Sequence, residues 1–314
     1  MPQYIEKDKL FDMIRWKGGA WIVYRPVGGI GDAIMIMPAI TALRKQIGDE
    51  LLVVMCIDYI KSVFEHNDAI DYIMPYTELD IAKQKDIVDV AELTKMGCIV
   101  YRLHHPCPAA VYENDNCPHI YKSRQEIFAE ACDVKFDINN YNFALHEDEL
   151  NVPEELMLPE RYVVVQLRCH DRWRNYWHMK WFLHEIAKVG RKKDFGVVTI
   201  DAEMDYGIKD VVALHHIPLN FLFGVIKKSR LVIGPDSSFG HVGGALEVPV
   251  LGLYGPTNPH VRLKYKRAYW MPKFRRCKRQ YCWYKPCKFR LCMNFKPKAV
   301  INRALQILEE DIAS

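Results

Sequence analysis

The sequence predicts an α/β protein built of two similar units, and three observations carry that prediction. Short apolar runs of strand length alternate with amphipathic helical stretches along the whole chain. The succession strand, polar turn, helix occurs in the same form twice, once after Ala20–Tyr24 and once after Arg161–Leu167. Between them lies HEDELNVPEELMLPE, residues 146–160, whose charges and prolines read as a linker. A length of 314 residues suits two domains of about 150 residues each. The expected division is 1–150 and 151–314.

Composition narrows the class further. Half of the residues are hydrophobic, ample for two cores. No apolar run approaches the roughly 18 to 20 residues of a membrane span. The start, MPQYIEKDKL, is too charged for a signal peptide, so a cytoplasmic protein is expected. Its ten cysteines should then be mostly reduced thiols, apart from any metal site.

In the first unit, residues 1–19 read as an amphipathic helix closed by Gly18-Gly19. Ala20–Tyr24 is the first strand, and Gly28-Gly29-Ile30-Gly31-Asp32 turns it into the helix Ala33–Ile47. This is the layout of a nucleotide-binding half-domain, but Ile34 occupies the third glycine position of G-x-G-x-x-G, which argues against a dinucleotide site. Gly29 and Gly31 still permit close backbone approach. From the residues alone, Asp32 is either the cap of that helix or a carboxylate presented at the strand's end. Strands follow at Glu50–Ile57, Ala69–Pro75 and Cys98–Leu103. The last opens into His104-His105-Pro106-Cys107-Pro108, with Cys117 and His119 beyond. These spacings fit no compact zinc pattern, and a loop of this kind reads as substrate recognition. Ser123–Cys132 is a helix.

In the second unit, strands are expected at Arg161–Leu167, Phe195–Asp201, Val211–Leu214, Leu231–Ile233 and Val248–Tyr254. Helices are expected at Met179–Val189, Leu219–Lys228, Gly240–Glu247 and Lys298–Ile312. The densest stretch is LVIGPDSSFGHVGGALEVPVLGLYGPT, residues 231–257. It sets Asp236, Ser237 and Ser238 at the carboxyl end of one strand, His241 in the first turn of the following helix, and Thr257 at the end of the next strand. Unpaired amides and the dipole at a helix N-terminus favour an anion there, phosphate above all. Arg172 and Arg174, in the loop before Met179, can add guanidinium forks for phosphate oxygens.

The charge is unevenly spread. The net charge is +4, yet residues 262–298 hold 14 Lys or Arg and no acid, leaving 29 basic against 39 acidic residues elsewhere. Such a segment suits phosphate-bearing lipid, nucleic acid or an anionic cofactor. Cys277, Cys282, Cys287 and Cys292 recur in it at five-residue intervals. Four thiols of this kind suit a tetrahedral zinc or iron ion, free thiols and disulfides being the alternatives.

Three motifs resemble those of the heptosyltransferases, the inverting sugar transferases that build the inner core of bacterial lipopolysaccharide. The first follows the pattern Asp-[Ser/Thr]-Gly-x-x-His-[Leu/Ile]-x-Ala-Ala, then a strand and Gly-Pro-Thr. Asp236, Ser237, His241, Ala245 and Gly255-Pro256-Thr257 match it, and Ser238 stands where the family carries glycine. The second is Gly-Asp after the first strand, then an apolar helix with Pro and Leu-Arg; Gly31-Asp32, Pro38 and Leu43-Arg44 match. The third is Lys-x-Trp before a helix of the second unit, where this chain has Asn175-x-Trp177. The resemblance runs from about Val23 to Leu305. Cys292-Met293 also resembles the end of a cysteine segment in some relatives, one class of which binds iron.

The resemblance implies a GT-B fold, with two Rossmann-like domains facing each other across a cleft. It implies an inverting glycosyltransferase in which Asp32 is the general base on the acceptor side and no cofactor serves the chemistry; His104 and His105, in the loop read as substrate recognition, would lie on the acceptor side of the cleft. Arg172, Arg174, Asp236, Ser237, Ser238, His241 and Thr257 would bind a nucleotide-sugar donor, ADP-heptose by resemblance. The acceptor would be a glycan, lipopolysaccharide or protein, with the basic segment free to meet anionic lipid at the inner membrane. One rival is a GT-B enzyme with another nucleotide sugar. The other is a metal-stapled nucleic-acid binder, in which Tyr265, Tyr269, Trp270, Tyr281 and Trp283 would stack bases among the cations; it leaves the first 260 residues without a role. Oligomeric state is not legible in these features.

Overall fold

A computed structural model describes residues 1–25, 28–77, 90–104, 107–150, 152–201, 205–272, 277, 281–283, 287 and 289–313. The chain forms two compact units, Met1–Ala144 and Leu145–Ser314.

Unit 1 is built on a parallel sheet of β1 (Gln3–Tyr4), β2 (Trp21–Arg25), β3 (Leu52–Ile57), β4 (Tyr72–Tyr76) and β5 (Ile99–Arg102), in the order β1-β4-β3-β2-β5. Central strands of a parallel sheet are covered on both faces, so they read as continuous apolar runs. In β3, LVVMCI, every residue is buried. The helix Ile30–Ile47 follows β2, is buried over most of its length and packs along the helix Arg124–Ala131. That second helix starts sharply at a capping box: Ser123 Oγ accepts from Glu126 N at 3.2 Å, and Glu126 Oε2 accepts from Ser123 N at 2.6 Å.

Unit 2 carries a six-stranded parallel sheet of β6 (Tyr162–Val165), β7 (Gly196–Thr199), β8 (Val211–Ala213), β9 (Val232–Gly234), β10 (Val250–Gly252) and β11 (Ala268–Trp270). The order is β11-β10-β9-β6-β7-β8. Val163, Val165, Ile233 and Leu251 from the sheet pack with Phe182 and Leu183 from the helix Met179–Lys193. The helix Pro297–Ala313 adds Val300, Ala304, Ile307 and Leu308 to the same core, as its spacing predicts.

Three expectations need correcting. Residues 1–19 are not one helix: Gln3–Tyr4 pairs with β4 as an edge strand, and the helix spans Lys7–Lys17. β11 lies outside the expected strands, since Ala268–Trp270 is a short apolar run of three half-buried residues inside a basic stretch. The stretch read as a linker is packed structure within unit 2. Glu147–Leu150 is a short helix, Glu149 is buried, and its carbonyl lies 1.9 Å from where a Cβ on Gly224 would fall. Composition marked the stretch as polar, but a glycine 75 residues away supplies its seat. Gly224→Ala should therefore force backbone apart and destabilise the protein by about 1–3 kcal/mol or more, read as a lowered urea midpoint; an unchanged midpoint would mean that the segment is not seated there.

Both sheets reverse strand order at an inner strand, β2 in unit 1 and β6 in unit 2. In unit 1, β2 has β3 on one side and β5 on the other; in unit 2, β6 has β7 on one side and β9 on the other. Crevices outside the carboxyl ends of such strands are where ligands bind in open α/β sheets.

Candidate functional site

At the reversal in unit 2, β9 ends in Gly234 and delivers Asp236, whose side chain is only 5% exposed. Arg174, from the loop after β6, places Nη1 3.2 Å from Asp236 Oδ2 and donates to the Asp236 carbonyl at 2.7 Å. Arg262 Nε stands 3.7 Å from the same Oδ2, and His241 Nε2 3.6 Å from Oδ1. Burial alone would raise the carboxyl's pKa. Arg262, then Arg174 and His241, outweigh it and hold Asp236 ionised well below the usual carboxylate range. His241 is fixed on its other side, with Nδ1 2.9 Å from the Tyr265 hydroxyl.

The helix after β9 spans Ser238–Ala245 with Ser237 as its N-cap, so it begins two residues before the expected Gly240. Ser237 uses its hydroxyl to donate to Gln166 Oε1 rather than to cap the helix. Ser238 is half-buried in the first turn. The Thr257 hydroxyl is buried and makes no hydrogen bond among the described residues, which costs free energy unless a ligand or water supplies the partner. The structure thus brings Asp236, His241 and Arg174 together and adds Arg262, which sequence reasoning missed. Arg262 lies in a run of cations that looks uniformly solvated, and only its burial at 6% exposure distinguishes it.

Arg172 is not part of that cluster. It lines a cavity of about 640 Å³ with Arg168, Trp177, His178 and Arg290, and its carbonyl accepts from Arg290 Nη1 at 2.7 Å. Asn175, at the family's lysine position, is buried and accepts from Cys169 N at 2.8 Å, bracing the loop that presents both arginines.

At the reversal in unit 1, Asp32 lies in the first turn of Ile30–Ile47, and Gly29 is the cap. The carboxylate is engaged by two arginines. Arg25 Nη2 is 2.8 Å from Oδ2, and Arg124 Nη1 donates to Oδ1. Arg124 is itself gripped by buried Glu113 through bonds of 2.8 and 2.7 Å. Arg25 is buried, donates to the Leu103 carbonyl after β5, and lies against Gly28, where a Cβ would meet its guanidinium at 2.6 Å. Gly28 (φ 151°) is thus needed for close approach, while Gly29 is exposed and Gly31 buried. His104 is half-buried beyond β5; His105 lies outside the described residues.

In the cysteine segment, Cys292 is buried, Cys277 and Cys282 half-buried and Cys287 exposed. Burial pushes the Cys292 thiol up to about 12, and charge on Cys277, Cys282 or Cys287 opposes its ionisation further. Two of the five aromatic rings proposed to stack on nucleic acid, Tyr265 and Trp283, are buried in the fold.

Residues 197–289, which include Asp236, His241, Thr257 and Arg262, match the profile of glycosyltransferase family 9 (heptosyltransferase). Lipopolysaccharide heptosyltransferase 1 of Pseudomonas aeruginosa is 34% identical over 62 residues, a match spanning 20% of this chain and 18% of that protein. A family 9 glycosyl transferase from Veillonella parvula superposes with a TM-score of 0.71 at 17% identity, covering 93% of this chain and 97% of that one. The iron-containing dodecameric glycosyltransferase TibC from enterotoxigenic E. coli gives a TM-score of 0.62 at 13% identity, covering 93% and 77%. The fold is therefore that of the two-domain, Rossmann-like GT-B glycosyltransferases. Within that class, the chain's resemblance is to the heptosyltransferases of family 9, carried by the second unit.

Proposed function

We propose that the protein is a cytoplasmic inverting glycosyltransferase that moves a heptose from ADP-heptose to a hydroxyl of a surface glycan, lipopolysaccharide or protein. The observation that carries this reading is the buried Asp236, flanked by Arg174, Arg262 and His241, at the strand reversal of a family-matched unit. In this reading unit 2 binds the donor. Asp236 faces the sugar hydroxyls, while Ser237, Ser238, His241, Thr257 and the amides at the start of Ser238–Ala245 receive the diphosphate. Arg174 and Arg262 neutralise Asp236, so that a dianionic ligand does not meet an uncompensated carboxylate. Unit 1 supplies the base. Asp32 takes the proton of the acceptor hydroxyl, the oxygen forms a bond to the anomeric carbon, and the bond to the diphosphate breaks with its electron pair leaving on phosphate. Arg25 and Arg124 fix the orientation of the Asp32 carboxylate, and His104 and His105 contact the acceptor. Mass spectrometry after incubation with a panel of nucleotide sugars and acceptors tests this. A mass gain of one heptose is expected with the ADP-linked donor; transfer of another sugar would assign a different donor, and no transfer with any donor would defeat the reading.

In this reading the four cysteines close on a structural zinc or iron ion; among the described residues their sulfurs do not yet gather as a ligand set, the group of ligand atoms found together being that of His66, His146 and Glu149. That TibC contains iron supports the same reading. Such an ion would order the basic segment and take no part in the chemistry. Elemental analysis of protein purified without added metal should give close to one zinc or iron per chain, and Cys282→Ser should lose it; metal-free but well-ordered protein would contradict the assignment.

A further inference from the structure

The cysteine segment is wired into the Asp236 cluster. Tyr281 N and Trp283 N, on either side of Cys282, donate to the carbonyls of Gly255 and Pro256 at 3.0 Å each. Those two carbonyls belong to the turn after β10 that carries Thr257. On its other side Gly255 leaves no room for a Cβ, which would lie 2.9 Å from Cys292 Sγ and 2.7 Å from Met293 Sδ. Two of the four cysteines therefore bracket this turn. Trp283 is 1% exposed, and its ring lies 4.7 Å from the Arg262 guanidinium carbon. Arg262 in turn faces Asp236.

The backbone shows that this arrangement is imposed. Tyr281 and Trp283 have φ of 68° and 47°, the left-handed region that residues with a Cβ adopt only when their surroundings hold them there. An indole face attracts a guanidinium most strongly when both are away from water, which is the case here. Without that face, Arg262 has room to turn from Asp236. The carboxylate would then lose one of its two guanidiniums and repel an anionic ligand.

We propose that Trp283 is a positioning residue that holds Arg262 against Asp236, and that the cysteine segment thereby sets the affinity of the Asp236 cluster for a nucleoside diphosphate. This rests on the donor reading above and adds to it a dependence on the chain around Cys282. A change at Cys282, between the two residues bonded to Gly255 and Pro256, would loosen Trp283, and through Arg262 weaken the ligand without touching it.

The test uses the full-length protein, ADP as probe, and two readouts. Calorimetry should show ADP binding weakened about tenfold in Trp283→Ala and restored to within about threefold by Trp283→Phe, which keeps an aromatic face. Cys282→Ser should weaken it by a similar factor, and the double variant by no more than either change alone. Hydrogen exchange at Arg262 Nε–H, followed by ¹⁵N NMR, should be faster in Trp283→Ala and Cys282→Ser than in the parent or Trp283→Phe. Thermal melts identify any variant that fails to fold, in which case Trp283→Phe and Cys282→Ser decide. If the parent does not bind ADP, the donor reading fails, and the exchange rates alone decide the coupling. Unchanged exchange and affinity in Trp283→Ala, or additive losses in the double variant, would overturn it.

Discussion

Asp32→Asn should lower turnover by roughly 10²-fold or more, while the protein stays folded and binds donor as the parent does. The substitution keeps the shape of the side chain and its place in the first turn of Ile30–Ile47. What it removes is the charge and the lone pair that would receive the acceptor's proton. Two guanidiniums, from Arg25 and Arg124, then face a neutral amide, so a stability measurement belongs beside the rate. Arg25 is the more sensitive of the two, at 3% side-chain exposure against 14% for Arg124. A variant that turns over like the parent would place the base elsewhere; a variant that loses donor affinity equally would mean that Asp32 organises structure and not proton transfer.

Asp236→Ala is expected to have the largest effect on stability as well as on binding. Removing one member of a buried charged cluster leaves the others uncompensated, which costs on the order of 3–5 kcal/mol. Arg174, 19% exposed and also paired with Asp171 at 2.7 Å, and Arg262, 7% exposed, would each lose a carboxylate partner. The same pairing predicts a pH dependence. Because the carboxyl's pKa is depressed in the folded protein, its contribution is fully present above the unfolded value of about 3.9 and disappears as pH falls through the folded value. Urea denaturation of the parent should therefore show this contribution shrinking only below about pH 4, whereas in Asp236→Ala that acid-side loss should be absent. A parent and variant with parallel pH profiles would mean that the ion pairs contribute nothing to folding.

Periodicity made most of the architecture legible, because β3, β6, β9 and β10 are apolar runs with both faces covered and the helices around them carry apolar stripes. The positions of Asp236, His241 and Asp32 were legible for another reason: Asp236 follows a strand's end, and Asp32 and His241 lie in the first turn of the helix that comes next, beside glycine. What escaped was everything decided by distant contact. Arg262 looks like one cation among 14 until Trp283 and Asp236 are seen beside it. Arg172 and Arg174 are two residues apart in one helical turn, yet one lines a cavity and the other reaches Asp236. The stretch 146–160 has a linker's composition but is seated on Gly224, a fact no local pattern carries. Asn175 at the lysine position reads as a lost phosphate contact, and its role as a brace for Cys169 N needed coordinates.

Whether the Asp236 cluster is the donor site is tested most directly by calorimetric titration of nucleotide sugars into the parent, Asp236→Ala and His241→Ala. ADP-heptose should bind the parent, and both variants should lose at least about tenfold in affinity, the change expected when charged partners in a desolvated site are removed. Undiminished affinity in both variants would contradict that assignment.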